Sequence, residues 1–277
     1  MIVFLIQIVL AAIGTAFYGL YGNYPHNGWA VLIMLACFLI ILFILTVFTI
    51  LWIIASIYIL KGTDKKSIAK HRYYAFFIPY VFGVLLRVRI VITGKENLPK
   101  PEDGNFIVVS NHMEYSDPVY IKFAYSKYNL AFVAKKELFR IPLIKTLMEG
   151  TGCISLDRES TKQGLQAILD TIKAVKDGQP MAIFPEGTRS YENKMGEFRH
   201  GAFKIALKAN AGISPVCLYD MHGIIKIWRF GIHTCRLHIL PFVPYEEIKD
   251  KSTAEVSDRI YALIDERLEI YNNAGKS

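Results

Sequence analysis

The chain has 277 residues, 53% of them hydrophobic, and its 32 Lys and Arg against 24 Asp and Glu give a formal net charge of +8 and a pI near 9.2. Residues 1–60 contain no Asp, Glu, Lys or Arg, so the whole basic excess belongs to the remainder. Together with a mean hydropathy of +0.30, this excludes an ordinary soluble chain, which would interrupt its apolar runs with charge. No recognition motif accompanies the basic pI, so nucleic acid is not an expected partner.

In chain order, residues 1–21 are just long enough to span a bilayer, residues 22–28 (Gly-Asn-Tyr-Pro-His-Asn-Gly) have turn composition, and residues 29–60 could span with tilt or overhang. The pattern predicts an N-terminal transmembrane helical hairpin over 1–62. A cleaved signal peptide is the rival for the first segment, but it would want a positive n-region, and none is present. Lys61, Lys65, Lys66, Lys70 and Arg72 follow the second span directly. The positive-inside bias therefore places the following domain in the cytoplasm.

Residues 73–86 are aromatic, Pro-interrupted and flanked by Arg72, Arg87 and Arg89. They read as part of an interfacial amphipathic linker over 63–94, with aromatics at headgroup depth and cations toward anionic lipid. A buried helix of the soluble domain has the same periodicity. From residue 95 onward, short apolar runs (106–110, 130–134, 153–156, 181–184, 214–219, 235–240) alternate with amphipathic ones (118–128, 138–148, 161–175, 201–210), and a last helix covers 253–271. This predicts an α/β fold, a mixed and largely parallel sheet covered by helices. Ser160-x-x-Gln163 and Ser252-x-x-Glu255 are capping-box patterns at two helix starts. Four cysteines, Cys37, Cys153, Cys217 and Cys235, lie far apart without a C-x-x-C pair, so neither a disulfide framework nor a metal site is expected.

Two stretches carry chemistry. Asn111-His112-Met113-Glu114-Tyr115-Ser116-Asp117-Pro118 follows the strand-like run 106–110, which sets His112 at a strand's carboxyl end, where ligands collect in open α/β sheets. Asp117 could hold the Nδ1 proton while Nε2 faces a substrate hydroxyl, making His112 a general base. Asp117 could equally cap a helix whose first residue is Pro118. No Gly-x-Ser-x-Gly elbow is present, so direct attack by a substrate hydroxyl on an acyl thioester fits better than a covalent enzyme intermediate. Phe184-Pro185-Glu186-Gly187-Thr188-Arg189-Ser190 follows another strand at the same edge. Arg189 can fork a phosphate, Glu186 can receive a hydroxyl or fix a cation, and Gly187 allows close backbone approach. A structural Glu–Arg ion pair is the alternative. Lys135 and Arg158 end two further strands, and their convergence with Arg189 would suit a phosphate monoester.

Asn-His-x4-Asp at 111–117 and Phe-Pro-Glu-Gly-Thr-Arg-Ser at 184–190, in this order, resemble the first and third motifs of the 1-acylglycerol-3-phosphate acyltransferase family. Gly152-Cys-Ile-Ser-Leu-Asp157-Arg158 looks like that family's second motif, Ile213-Ser-Pro215-Val like its fourth, and Lys135-Lys-Glu-Leu-Phe-x-x-Pro142 like the segment between the first two. The resemblance covers residues 95–244 and departs at Ser155, in place of an aromatic, and at Glu114, where many members have serine. It implies an acyltransferase domain over 95–277, with His112 as base, Asp117 as its partner, and Lys135, Arg158, Glu186, Gly187, Thr188 and Arg189 binding substrate. The implied partners are an acyl-CoA or acyl-carrier-protein donor, a lysophospholipid acceptor and membrane lipid, with no cofactor. The implied product is phosphatidic acid; glycerol-3-phosphate, another lysophospholipid or a glycolipid is the rival acceptor. A non-catalytic protein binding anionic lipid through its basic face is the alternative from outside the enzymes.

Overall fold

A computed structural model describes residues 2–21, 28–80, 83, 86–157, 160–191, 193–224 and 231–274. Two apolar helices, α1 (Ile2–Tyr21) and α2 (Gly28–Ile59), pack on each other. Gln7 on α1 is buried at their contact and donates to the Leu45 carbonyl at 3.0 Å and to Thr49 Oγ1 at 2.6 Å on α2. Among the described residues, one helix, Ala30–Ile59, is long and apolar enough to cross a membrane, while the apolar run of α1 is the shorter Leu5–Ala16. The turn expected over 22–28 lies, up to residue 27, outside the described residues.

Helix α3 (Ile68–Tyr80) returns against α2, where Tyr73 Oη accepts from Trp52 Nε1 at 2.8 Å and meets Ser56 Oγ at 2.7 Å. Of the aromatics expected at headgroup depth, Tyr74 and Phe77 are buried inside the protein, as the rival reading of this stretch requires. Residues 81, 82, 84 and 85 of the same stretch lie outside the described set.

The remaining elements are β1 (Val88–Thr93), β2 (Phe106–Ser110), α4 (Asp117–Ala124), β3 (Ala131–Lys135), α5 (Pro142–Gly150), β4 (Ile154–Leu156), α6 (Thr161–Lys176), β5 (Met181–Ile183), α7 (Lys204–Ala209), β6 (Gly212–Tyr219), β7 (His233–Ile239) and α8 (Thr253–Ala274). The seven strands form one sheet in the order β1-β7-β6-β2-β5-β3-β4. All neighbours are parallel except β6 and β7. Thus β6, β2, β5, β3 and β4 point one way and end at one edge.

All five residues of β2 are buried. Since successive side chains point to opposite faces, both faces of the sheet's centre are covered, as parallel strands require. Helix α8 lays a stripe of Val256, Ile260, Ile264 and Leu268 inward, one residue per turn, and packs against β6. Its start carries the expected reciprocal cap: Glu255 N–H donates to Ser252 Oγ at 3.2 Å, and Ser252 N–H to Glu255 Oε2 at 2.8 Å. At α6, Gln163 N–H donates to Ser160 Oγ at 3.3 Å. The stretch assigned to the linker differs from expectation at its end, because Val88–Thr93 forms the edge strand β1, paired with β7 from Val88↔His233 to Thr93↔His238. The domain therefore begins before residue 95.

Candidate active site

The β2 exit is fixed before any functional group appears. Asn111 is fully buried, and its amide matches the β6 backbone at both ends, donating from Nδ2 to the Leu218 carbonyl at 2.9 Å and accepting at Oδ1 from Leu218 N–H at 2.8 Å. The next residue, His112, is held by its own peptide. Its N–H donates to Glu186 Oε1 at 2.7 Å, and its carbonyl accepts from Ser190 N–H at 2.7 Å and Ser190 Oγ at 3.1 Å. The two sequence motifs therefore interlock through the histidine backbone, and the imidazole stacks on Phe184 with centroids 4.2 Å apart.

His112 Nδ1 lies 2.9 Å from Asp117 Oδ2. The same oxygen accepts from the N–H groups of Met113 at 2.6 Å and Glu114 at 2.9 Å. The carboxylate therefore turns back over the loop toward the histidine, while Ser116 occupies the N-cap position of α4. Capping of its own helix is not what this aspartate does. Burial pushes its carboxyl up from the ordinary aspartate range, and the histidine and the two backbone donors pull the other way. An acceptor on Nδ1 fixes the tautomer and leaves the lone pair on Nε2, on a side chain 18% exposed.

Glu186 spans two segments, since Oε2 accepts from Gly196 N–H at 2.7 Å while Oε1 holds His112. Burial pushes this carboxyl up as well, against those two backbone donors and the Ser190 hydroxyl. With both oxygens on backbone N–H groups, Glu186 positions the His112 backbone. Gly187 sits at φ +73°, and a Cβ there would come within 2.9 Å of Arg199 Nε, so its freedom serves the turn over Arg199. Thr188 is exposed on the same loop.

Arg189 reaches back over the histidine loop. Its Nη1 lies 3.5 Å from Glu114 Oε1, its Nη2 donates to Tyr115 Oη at 3.1 Å, and its Cζ sits 3.7 Å from the Tyr115 ring centroid. Lys135 ends β3 at the same sheet edge, but β5 separates β3 from β2. Two strand spacings put it about 10 Å along the sheet from β2. Its exposed amine lies 3.5 Å from Glu137. Arg158 lies outside the described residues.

Comparison with known proteins places this arrangement. The family model described as Acyltransferase matches residues 89–219, from β1 to the end of β6. The 1-acyl-sn-glycerol-3-phosphate acyltransferase of Borreliella burgdorferi is 31% identical over 64% of this chain and 72% of its own length, and that of Helicobacter pylori 38% identical over 58% and 72%. The chain belongs to the 1-acyl-sn-glycerol-3-phosphate acyltransferase family. It is an acyltransferase. Against the similarly named protein of Chlamydomonas reinhardtii it is 35% identical over 47% of its length, spanning 38% of that longer relative. The fold of this acyltransferase matches the crystal structure of PlsC, the 1-acyl-sn-glycerophosphate acyltransferase of Thermotoga maritima, with a TM-score of 0.63 over 80% of this chain and 95% of that one at 23% identity.

The motif chemistry alone does not single out Ser190, Arg199 or Gly196. Ser190 closes the quoted third motif and could have been suspected from it. Arg199 and Gly196 lie beyond the motif and declare themselves only through contacts with Gly187 and Glu186.

Proposed function

We propose that this acyltransferase moves a fatty acyl group from acyl-CoA or acyl-carrier protein to the free hydroxyl of 1-acyl-sn-glycerol-3-phosphate, forming phosphatidic acid in phospholipid synthesis. The observation that carries the chemistry is the 2.9 Å contact from His112 Nδ1 to Asp117 Oδ2, on a side chain 18% exposed at the edge where five strands end. His112 Nε2 takes the hydroxyl proton, and the alkoxide attacks the thioester carbonyl. The tetrahedral intermediate collapses, the C–S bond breaks, and the thiolate takes the proton back from the imidazolium. The names of the relatives support the acceptor, whose phosphate Arg189 would fork. Arg158 and Thr188 are the other proposed substrate contacts, while Glu186 and Gly187 act through the backbone they hold and Lys135 lies two strands along the same edge.

In this reading residues 1–62 anchor the chain in the membrane, and the acyltransferase domain, which includes β1 from Val88 onward, lies on the cytoplasmic side. The cations that follow residue 60 support that sidedness. The test is acyl transfer to 1-acyl-sn-glycerol-3-phosphate by purified full-length variants. His112→Ala should lose activity by at least about 10²-fold, and Asp117→Asn by a similar order, because Asn cannot hold the imidazolium. Near-wild-type turnover by the histidine variant would sink the mechanism.

A further inference from the structure

Arg189 is not an open phosphate ligand. Glu114, two positions after the base, stands 3.5 Å from its Nη1, and the Glu114 side chain is only 15% exposed. That carboxylate is held from its own backbone, since Oε1 also accepts Tyr115 N–H at 2.9 Å. Tyr115 grips the guanidinium by ring face and hydroxyl. A charge-assisted bond is normally about 2.7–2.9 Å long. At 3.5 Å the pair attracts without closing, so the planar fork keeps donors for an incoming anion.

A phosphate that forks Arg189 must then bring its charge within a few Å of Glu114. Like charges at such separations in a half-buried site repel by enough to weaken binding about tenfold or more. We infer that Glu114 is a specificity-determining residue of the acceptor site, neutralising Arg189 in the free enzyme and opposing phosphate-bearing acceptors relative to uncharged ones. The inference rests on the proposed role of Arg189 as acceptor ligand. It makes headgroup charge, rather than acyl chain, the property that this pair weighs.

Glu114→Gln is the informative variant, because glutamine keeps the shape and the acceptor for Tyr115 N–H while removing the charge. Full-length wild type and variant are compared in mixed micelles with 1-acyl-sn-glycerol-3-phosphate and with a monoacylglycerol of the same chain, on one thioester donor. The kcat/KM ratio of phosphate to neutral acceptor should rise about tenfold in the variant, through KM for the phosphate acceptor. An unchanged ratio overturns the inference. A ratio that moves toward the neutral acceptor also overturns it, and would make Glu114 a residue that holds Arg189 ready for phosphate. Calorimetric binding of 1-acyl-sn-glycerol-3-phosphate to His112→Ala, with and without Glu114→Gln, needs no turnover. The double variant should bind about tenfold tighter, and equal affinity overturns the inference. Absence of thioester consumption by wild type with any acceptor would instead defeat the proposed function and leave the binding comparison to decide Glu114.

Discussion

Glu186 illustrates how much of this site is backbone engineering. Its two oxygens serve His112 N–H and Gly196 N–H, so removing them orphans donors on both segments. A buried unsatisfied group costs about 1–3 kcal/mol. For a domain of this size each kcal/mol moves the melting temperature by about 2–4 °C. Glu186→Ala should therefore melt about 5 °C or more below wild type and lose kcat, with Glu186→Gln intermediate because it keeps one acceptor. Thermal melts and steady-state kinetics on the same preparations check this; a Glu186→Ala protein with wild-type melting and altered KM alone would return the residue to direct substrate contact. The histidine and its carboxylate were legible from spacing at a strand exit. The engagement of Glu186 with backbone was not, because a sequence carries no record of where a peptide N–H points. The Glu114–Arg189 pair was hidden for a related reason: the partners lie in different motifs, brought together only in the folded chain.

At the scale of elements, α3 is fastened to α4 by a polar contact that titrates. Buried His71 on α3 meets the Lys65 carbonyl through Nε2 at 2.8 Å, and its Nδ1 lies 2.6 Å from Lys122 Nζ on α4, which also donates to the Leu130 carbonyl at 2.7 Å. The ring must accept at Nδ1, since an ammonium only donates. Burial, with the Lys122 charge second, lowers the His71 pKa from 6.5 to about 4. Because the folded value lies below the unfolded one, the unfolded chain takes the proton first. The stability contribution is complete above pH 6.5 and is lost as pH falls toward about 4. The loss is on the order of 3 kcal/mol at most. His71→Gln can donate to Lys65 and accept from Lys122 without titrating. The wild-type-minus-variant stability difference should therefore slope downward below pH 6.5, and a flat difference in denaturant titrations would refute the role. Elements with local signals, such as α6 and α8 with their caps, were read nearly to the residue. Strand β1 was missed because Arg89 next to the aromatic run suggested lipid, while the partner that makes it a strand lies far along the chain in β7.

Across the whole molecule, the site depends on a clamp between distant parts of the sequence. Asn111 joins the β2 exit to Leu218, 107 positions away. Asn111→Ala would leave a buried N–H and a buried carbonyl unpaired, at a cost on the order of 3 kcal/mol. Lower melting temperature together with lower kcat is the expected result, and unchanged kcat would show that the base keeps its place without the clamp. Fold class and the N-terminal apolar helix followed from composition and alternation, which are whole-chain properties. The strand order did not, since several orders satisfy the same alternation and the choice lies in long-range packing.

The pairing of β1 with β7 also sets a timetable. Thr93 and His238, in register at its end, are 145 positions apart, and β1 follows soon after the helix that is apolar enough to enter a bilayer. At roughly 5–20 residues per second of synthesis, the first-made strand waits on the order of 10 s for its partner. Leu218 emerges within the same interval, so a chain whose N-terminal apolar helix is already made does not yet have its histidine in place. The His112 loop can settle only after Leu218 has been made, 107 positions after Asn111.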